Sequence, residues 1–490
     1  MKRRWKFCGL ALVLVAACAA TAAAEVKLPA IFGDSMVLQQ GIAAPVWGTA
    51  APGEKITVTF AGQTKTATAD DQGKWQVKLD ALQANKEGQA LSVAGANTVE
   101  LKDVLIGEVW ICSGQSNMEW PVNATLNADA EKKNADNAQI RLFNVPGHTV
   151  APSPQTEGAG QWQVCNEQNV GGFSAVGYFF GRRLQKDLDV PVGLVGSNWG
   201  GTRIEPWCSL EGLESVPELA DIAAGVKERA EKSKTEKVDV QGGTPSAIFN
   251  SMVNPLAPFA MRGGVWYQGE SNGGEGESYY HKKKALVNGW RKLFNPDLAF
   301  YWVQLANFQK PNDNPEGGDG WAKLREAQVK ALSIPGTGMA TIIDIGEAND
   351  IHPRNKQDVG DRLARWALHQ TYGKSEIVPS GPIYKSIKVE GSAIRVSFDH
   401  VGGGLMVGQK SGLEPTQELK DGKLARFAIA GEDKKWQWAE AKIDGDSVVV
   451  SSAEVKNPVA VRYAFSMNPV GANLYNKEGL PASPFRSDDW

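Results

Sequence analysis

The sequence predicts an α/β protein in which helices cover both faces of a parallel sheet, with a β-rich module at each end. Three observations predict this fold. The middle of the chain alternates nearly continuous apolar runs with segments of helical period. Both ends carry short runs of period two separated by turn residues. The length of 490 residues suits about three domains of roughly 150 residues each.

Residues 1–24 have the pattern of an export signal. A basic start at residues 2–6 precedes an apolar run at 7–20, which is too short to span a bilayer, and alanines at 22–24 form a cleavage site. The alternative is a lipobox at residues 15–18, which would leave a lipid anchor at Cys18. We therefore expect a periplasmic or secreted protein, or in the alternative an outer-membrane lipoprotein, without a transmembrane span.

Residues 25–103 are predicted to form the N-terminal β-rich module. Residues 56–60 alternate with period two, and Ala61-Gly62 then turns the chain into residues 64–68. The alternation resumes at Trp75 after Gln72-Gly73. These are the patterns of β-hairpins.

The middle unit, residues 104–375, alternates predicted strands and helices. Because these strands are apolar along almost their whole length, the sheet is expected to be parallel and buried on both faces. In such sheets, ligands bind beyond the carboxyl ends of the strands, so the loops that follow them are where a site is expected. The predicted strands are Val104–Ile111, Val192–Val195, Gly264–Tyr267, Ala299–Leu305 and Met339–Ile343, and the predicted helices are Phe173–Leu188, Pro217–Lys234, Tyr279–Phe294, Lys323–Leu332 and Asn355–Tyr372.

Residues 376–490 are predicted to form the C-terminal β-rich module. Ile387 and Val389 alternate before a turn at Glu390-Gly391, and the alternation continues beyond it. Asp444-Gly445 marks a second hairpin.

Composition excludes some classes of protein and of site. The 52 Lys and Arg residues nearly balance the 55 Asp and Glu residues, which argues against a nucleic-acid partner. After signal cleavage three cysteines remain, and we expect a disulfide between Cys165 and Cys208 with Cys112 as a buried thiol. The cysteines and histidines do not have the spacing of metal ligands, so neither a metal nor another cofactor is expected.

Three predicted loops at the carboxyl ends of the strands carry reactive or polar groups. Residues 113–118 place Ser116 in a strand-to-helix turn, where its hydroxyl is exposed and its own N–H is an oxyanion donor. Paired glycines in residues 196–203 let a backbone N–H point into a site. Residues 266–272 are dense in amide and carboxylate groups.

A serine nucleophile needs a base, and five histidines are available. His352 follows the last predicted strand of the sheet, on the same rim as Ser116 and beside Asp350. The Gly-Asp-Ser string that contains Ser35 also has the form of a nucleophile motif. It opens a β module without a preceding α/β strand, so Ser35 is not expected to be the nucleophile.

Four blocks together resemble the sialate O-acetylesterase family, a carbohydrate-esterase branch of the SGNH hydrolases. They occur in the order of the family, and the likeness covers most of the mature chain. The resemblance implies a flavodoxin-like α/β/α catalytic domain that removes acetyl groups from sugar hydroxyls without a metal. The blocks are Ser-Gly-Gln-Ser-Asn-Met at 113–118, Trp-Gly-Gly-Thr-Arg-Ile-Glu-Pro-Trp at 199–207, Trp-Tyr-Gln-Gly-Glu-Ser-Asn at 266–272 and Asp-Ile-His-Pro at 350–353.

The resemblance also assigns roles to residues. It implies Ser116 as nucleophile and His352 as general base. The chain departs from the usual Asp-X-X-His pattern because Asn349 stands three residues before the histidine. Asp350 is the nearest acid, and Asp344 or a backbone carbonyl are the alternatives.

The oxyanion hole implied by the resemblance combines three groups. They are the Ser116 N–H, a glycine N–H at Gly200 or Gly201, and a side-chain amide from Gln268 or Asn272. The predicted substrate-binding residues are Gln115, Arg203 and Glu270. Arg203 either pairs with the carboxylate of a sialic acid or makes a local salt bridge.

The expected substrate is therefore an O-acetylated carbohydrate, either a sialic acid or a plant polysaccharide such as xylan or xyloglucan. Two alternatives stay open from the residues alone. A glycoside hydrolase would use Glu270 and Asp350 as paired carboxylates and would release free sugar. A non-catalytic carbohydrate-binding protein would use its β modules and would turn over no ester.

Overall fold

The computed structural model of the chain describes residues 25–490, so the predicted export signal and Cys18 lie outside the described residues. The N-terminal strands pair mainly as antiparallel hairpins: β2 with β5, β3 with β4, and β6 with β3 and β7. Their bounds are β1 Val37–Gln39, β2 Ala44–Thr49, β3 Lys55–Phe60, β4 Gln63–Thr68, β5 Lys74–Leu79, β6 Asn85–Ala94 and β7 Thr98–Gly114.

The central region alternates strands and helices as the sequence predicts. Its elements after β7 are α1 Ser116–Glu119, α2 Ala128–Lys133, β8 Asn137–Asn144, β9 Trp162–Cys165, α3 Glu167–Val170, α4 Ala175–Leu188, β10 Val192–Asn198, α5 Leu210–Glu214, α6 Ala220–Lys232, β11 Gly263–Tyr267, α7 Glu277–Leu293, β12 Ala299–Val303, α8 Gly320–Lys330, β13 Thr337–Ala340 and α9 Lys356–Trp366.

The C-terminal region is built from antiparallel strands in three small sheets, with orders β14-β15-β21-β20, β17-β16-β23 and β19-β18-β22-β24. The bounds are β14 Ile383–Glu390, β15 Ala393–Asp399, β16 Leu405–Gln409, β17 Gln417–Glu418, β18 Phe427–Gly431, β19 Trp436–Trp438, β20 Glu440–Asp444, β21 Ser447–Ser451, β22 Pro458–Tyr463, β23 Leu474–Asn476 and β24 Phe485–Arg486.

Strand β7 lies at the centre of a mixed sheet of order β13-β12-β11-β7-β10-β8-β9. Its C-terminal half pairs in parallel with β10 on one side and β11 on the other. Its N-terminal half pairs with β1 and β6, so the strand is longer than predicted. The chain therefore moves to one side of β7 first and to the other side later, which opens a crevice at the carboxyl ends of the strands.

Apolar side chains alternate between the two faces of this sheet. Val109 and Ile111 of β7 belong to the same core as residues of α7 and α8. Trp110 and Cys112 belong to a second core with α4 and α9. Burial on both faces explains why the sequence of β7 is almost continuously apolar.

The sheet and the cysteines differ from the sequence-based expectations. The sheet is not wholly parallel, because β9 pairs antiparallel with β8 at its edge. Strand β8 was not predicted, because its apolar run is interrupted by Arg141, a buried side chain that pairs with Asp103 at 2.6 Å. The Cys165–Cys208 disulfide was also wrong. Both thiols are free, and they lie in the two cores on opposite faces of the sheet.

From residue 25 onward, the chain has no helix that is both long and apolar enough to cross a membrane. The same part of the chain holds no group of three or more His, Cys, Asp or Glu side chains arranged to bind a metal ion.

Candidate active site

The chain turns directly from β7 into helix α1, and this turn presents Ser116. Gly114, at the end of the strand, has a φ of +143°, and a β-carbon there would lie 2.1 Å from the carbonyl oxygen of Tyr267. Only glycine fits this close approach of two neighbouring strands. Ser116 is the first residue of the helix, and within the described residues its N–H has no hydrogen-bond acceptor.

His352 contacts the serine hydroxyl from the loop between β13 and α9. Its Nε2 lies 2.9 Å from Ser116 Oγ, which is hydrogen-bond distance. The imidazole stacks on Trp120, with ring centroids 4.9 Å apart and planes 13° from parallel. The structure thus brings a serine and a histidine from opposite ends of the central region into the geometry of a nucleophile and its base.

Asp350 lies on the other side of the imidazole. Its Oδ1 is 3.3 Å from His352 Nδ1 and also accepts a hydrogen bond from the His352 backbone N–H at 2.9 Å. The tight turn between the two residues lets one carboxylate oxygen reach both nitrogens.

The alternative acid, Asp344, has a different partner. Its two oxygens accept hydrogen bonds from Arg362 at 2.6 and 2.8 Å, in a pair whose side chains are 2% and 6% exposed. This buried pair raises the pKa of the Arg362 guanidinium, although desolvation opposes the shift. The carboxylate of Asp344 is therefore engaged in the interior instead of contacting His352.

The glycine loop after β10 lies against the serine. A β-carbon at Gly200 would be 3.2 Å from the Cβ of Ser116. The Gly200 N–H donates to Glu119 Oε2 at 2.6 Å. The next residue, Gly201, is exposed and has a φ of +73°.

The two amides expected in the oxyanion hole are buried and bonded to each other. Gln268 Nε2 donates to Asn272 Oδ1 at 2.7 Å and to the Thr202 carbonyl oxygen at 3.2 Å. Asn272 Nδ2 donates to Glu205 Oε2 at 3.2 Å. Neither amide hydrogen-bonds to Ser116, and together they tie the loop after β11 to the loop after β10.

The three residues expected to bind substrate also have partners within the protein. Gln115 Oε1 accepts hydrogen bonds from two backbone N–H groups of the third block. Arg203 donates to Glu205 at 3.0 Å and also pairs with Glu275, so it makes a local salt bridge. Glu270 Oε1 accepts a hydrogen bond from Asn117 Nδ2 at 2.6 Å.

A buried polar chain lies beneath the serine and histidine, and of its three side chains the sequence pointed only to Glu270. Asn117 donates to Glu270 and to the Ile351 carbonyl oxygen, and Lys356 donates to Asn117 Oδ1. Burial lowers the pKa of Lys356 to about 7 and raises the pKa of Glu270. A lysine in the first turn of a helix is unfavourable with the helix dipole, and this was the available signal in the sequence.

A second missed group is the pair of Glu119 and His148. Glu119 Oε1 lies 2.8 Å from His148 Nε2, and the His148 ring stacks on Trp199 with centroids 4.7 Å apart. The sequence does not predict a role for His148, which lies in the loop after β8, because its contact with Glu119 forms only in the folded chain. Ser35, the rejected serine, donates to Asp103 at 3.0 Å.

Comparison with known proteins identifies relatives over nearly the whole chain. A family described as "Carbohydrate esterase, sialic acid-specific acetylesterase" matches residues 106–369. Sialate O-acetylesterase of Mus musculus is 30% identical over 97% of this chain and 97% of its own length. The Homo sapiens protein of the same name is 29% identical over 97% of this chain and 95% of its own.

A solved structure agrees. The crystal structure of a carbohydrate acetylesterase from Xanthomonas citri is 39% identical, covers 95% of this chain and 100% of its own, and superposes with a TM-score of 0.84. These matches confirm the resemblance drawn from the four sequence blocks, and with it an esterase that removes O-acetyl groups from carbohydrates. The chain belongs to the sialic acid-specific acetylesterase family of carbohydrate esterases.

Proposed function

We propose that Ser116 is the nucleophile of this esterase and His352 its general base. The observation that carries the proposal is the 2.9 Å contact between His352 Nε2 and Ser116 Oγ. As Ser116 Oγ attacks the acetyl carbonyl carbon, its proton passes to His352, which then protonates the departing sugar oxygen. Water, deprotonated by His352, hydrolyses the acetyl-serine and releases acetate. Asp350 would hold the imidazole in the required tautomer and stabilise its charged form.

We further propose that the oxyanion is stabilised by the N–H groups of Ser116 and Gly200. The absence of an acceptor for the Ser116 N–H within residues 25–490 and the close approach of Gly200 to Ser116 support this role. Gln268 and Asn272 instead have a structural role, because their hydrogen bonds link the loop after β11 to the loop after β10. Backbone donors are held rigidly by the strands they follow, which is what electrostatic stabilisation of a transition state requires.

The substrate we propose is a neutral acetylated sugar, such as acetylated xylan or xyloglucan. Arg203, for which a sialic-acid carboxylate and a local salt bridge were the two alternatives, is neutralised by Glu205 and Glu275. Glu119 adds a carboxylate near Ser116, and a second carboxylate on the substrate would be repelled. O-acetyl sialic acid is the alternative, because the mammalian relatives are named sialate O-acetylesterases.

The experiment is the release of acetate from p-nitrophenyl acetate, acetylated xylan and O-acetyl sialic acid by the wild-type enzyme and Ser116→Ala. We expect wild type to act on all acetyl esters it binds and to prefer acetylated xylan in kcat/KM. Ser116→Ala should lose activity on every substrate. Activity retained by Ser116→Ala would contradict the nucleophile, and a preference for O-acetyl sialic acid would contradict only the substrate.

The organisation of the chain is also proposed. We propose a flavodoxin-like SGNH hydrolase domain at residues 104–375 between β-rich modules at 25–103 and 376–490. The reversal of strand order at β7, with the serine at its carboxyl end, supports this fold.

We propose export by residues 1–24 to the periplasm or the medium, with lipidation at Cys18 as the alternative. Mass spectrometry of the mature N-terminus distinguishes these.

A further inference from the structure

Glu119 occupies a position that the proposed mechanism needs for the substrate. It lies three residues after Ser116 in α1, on the same face of the helix. Its Oε2 accepts the Gly200 N–H at 2.6 Å, and a β-carbon at Gly200 would lie 3.1 Å from that oxygen and 3.2 Å from Ser116 Cβ. The carboxylate, the glycine amide and the serine therefore form one cluster.

The carboxylate and an oxyanion compete for the same donor. A backbone amide has one hydrogen, and in the structure Glu119 holds that of Gly200. A tetrahedral intermediate on Ser116 would place a second negative oxygen at this hydrogen, and two like charges at such a distance repel each other. Glu119 has to leave Gly200 before the intermediate can be stabilised there.

The Glu119 carboxylate is partly exposed to solvent and has a second partner, His148. Its other oxygen contacts His148 Nε2 at 2.8 Å, and His148 stacks on Trp199 with ring planes 5° from parallel. The side chains of Glu119 and His148 are 37% and 43% exposed, so this pair lies at the solvent side of the site. A carboxylate that turns towards solvent while keeping His148 can accept hydrogen bonds from hydroxyl groups.

We propose that Glu119 is a specificity-determining residue that exchanges the Gly200 N–H for a sugar hydroxyl when an acetylated carbohydrate binds. The acetyl oxygen takes the Gly200 N–H, and a hydroxyl of the sugar donates to the released carboxylate. An aryl acetate has no hydroxyl to offer, so it has to displace Glu119 without this compensation. The inference rests on the proposed roles of Ser116 and Gly200.

The test compares kcat/KM for an acetylated xylo-oligosaccharide with kcat/KM for p-nitrophenyl acetate in Glu119→Gln and Glu119→Ala. The ratio of the two values, carbohydrate over aryl ester, should fall about tenfold in Glu119→Ala, the size expected for a hydrogen bond to a charged group. Removing the competing carboxylate raises turnover of the aryl ester, whereas the carbohydrate loses its acceptor. Glu119→Gln keeps an oxygen without the charge and should give a smaller fall.

Two controls make the outcome decisive. Glu478 Oε1 accepts the Gly403 N–H at 2.8 Å in the C-terminal region, so Glu478→Ala removes the same kind of contact elsewhere and should leave the ratio unchanged. A purely structural role of Glu119 would change both substrates alike. A ratio in Glu119→Ala that stays within about threefold of wild type, or rises, would overturn the inference. Activity in Ser116→Ala would instead overturn the proposed function.

Discussion

Changing Asp350 or Asp344 to asparagine should have different consequences: Asp350→Asn should lower kcat, and Asp344→Asn should lower stability. Asp350→Asn keeps an oxygen that can accept the His352 N–H and removes only the charge beside the imidazole. Two unit charges 3.3 Å apart attract by about 1 kcal/mol in water and about 5 kcal/mol at an effective dielectric constant of 20. Because Asp350 is 48% exposed, we take about 2 kcal/mol, which corresponds to a decrease in kcat of about 10- to 100-fold.

Asp344→Asn should lower the stability of the protein and leave kcat nearly unchanged. It leaves Arg362 as a buried cation without its counter-ion, and breaking such a pair costs about 3–5 kcal/mol of unfolding free energy. The kcat of the molecules that remain folded should stay close to that of wild type, because Asp344 does not contact His352. Asp350→Asn, at a half-exposed position, should change the free energy of unfolding by less than about 0.5 kcal/mol.

The assay for both variants is kcat on p-nitrophenyl acetate, normalised to folded protein, together with unfolding in urea followed by tryptophan fluorescence. A decrease in kcat of less than about threefold in Asp350→Asn would mean that the charge of Asp350 does not assist His352. A large loss of kcat in folded Asp344→Asn would refute the reasoning from the Arg362 pair.

Three other predictions concern the nucleophile, metals and the buried lysine. Ser116→Ala should lower kcat by about 10³-fold or more with the fold intact by circular dichroism, whereas Ser35→Ala should keep wild-type kcat, and equal losses would mean that the wrong serine was chosen. EDTA should leave kcat unchanged, because a serine and histidine need no Lewis acid, and a loss restored by one divalent cation would overturn the mechanism. Burial lowers the pKa of Lys356 from 10.5 to about 7 in the folded protein. Between pH 7 and 10.5 this lysine is therefore protonated in the unfolded chain and largely neutral in the folded one. Because the unfolded state binds more protons in this window, the contribution of Lys356 to the free energy of unfolding rises with pH. Lys356→Met should therefore be stabilised most, relative to wild type, at pH 7, as measured by the free energy of unfolding in urea. If the difference in unfolding free energy between variant and wild type does not shrink towards pH 10, the lowered pKa is contradicted.

The sequence alone determined the alternation of the central region and the family. Strands such as β11 are apolar at every residue because both faces are covered, and this pattern is visible without coordinates. The four blocks follow strand ends or lie beside them, so they predicted which loops meet. Ser116 and His352 were paired on this reasoning, and the structure brings them to 2.9 Å. Strand β8 was not predicted because Arg141 interrupts its apolar run. Asp103, the carboxylate that pairs with Arg141, is 38 residues away in the sequence.

Only the tertiary structure decided which polar groups near the site are free and which are already engaged. The sequence favours Asp350 as the nearest acid and leaves Asp344 as an alternative, but only the structure shows that Arg362 on α9 neutralises Asp344. Gln268 and Asn272 have the chemistry of oxyanion donors, yet burial commits them to each other. Glu119 meets Gly200 across 81 residues of chain. Hydrogen bonds and desolvation depend on distance in space, and a local pattern of residues records only the distance along the chain.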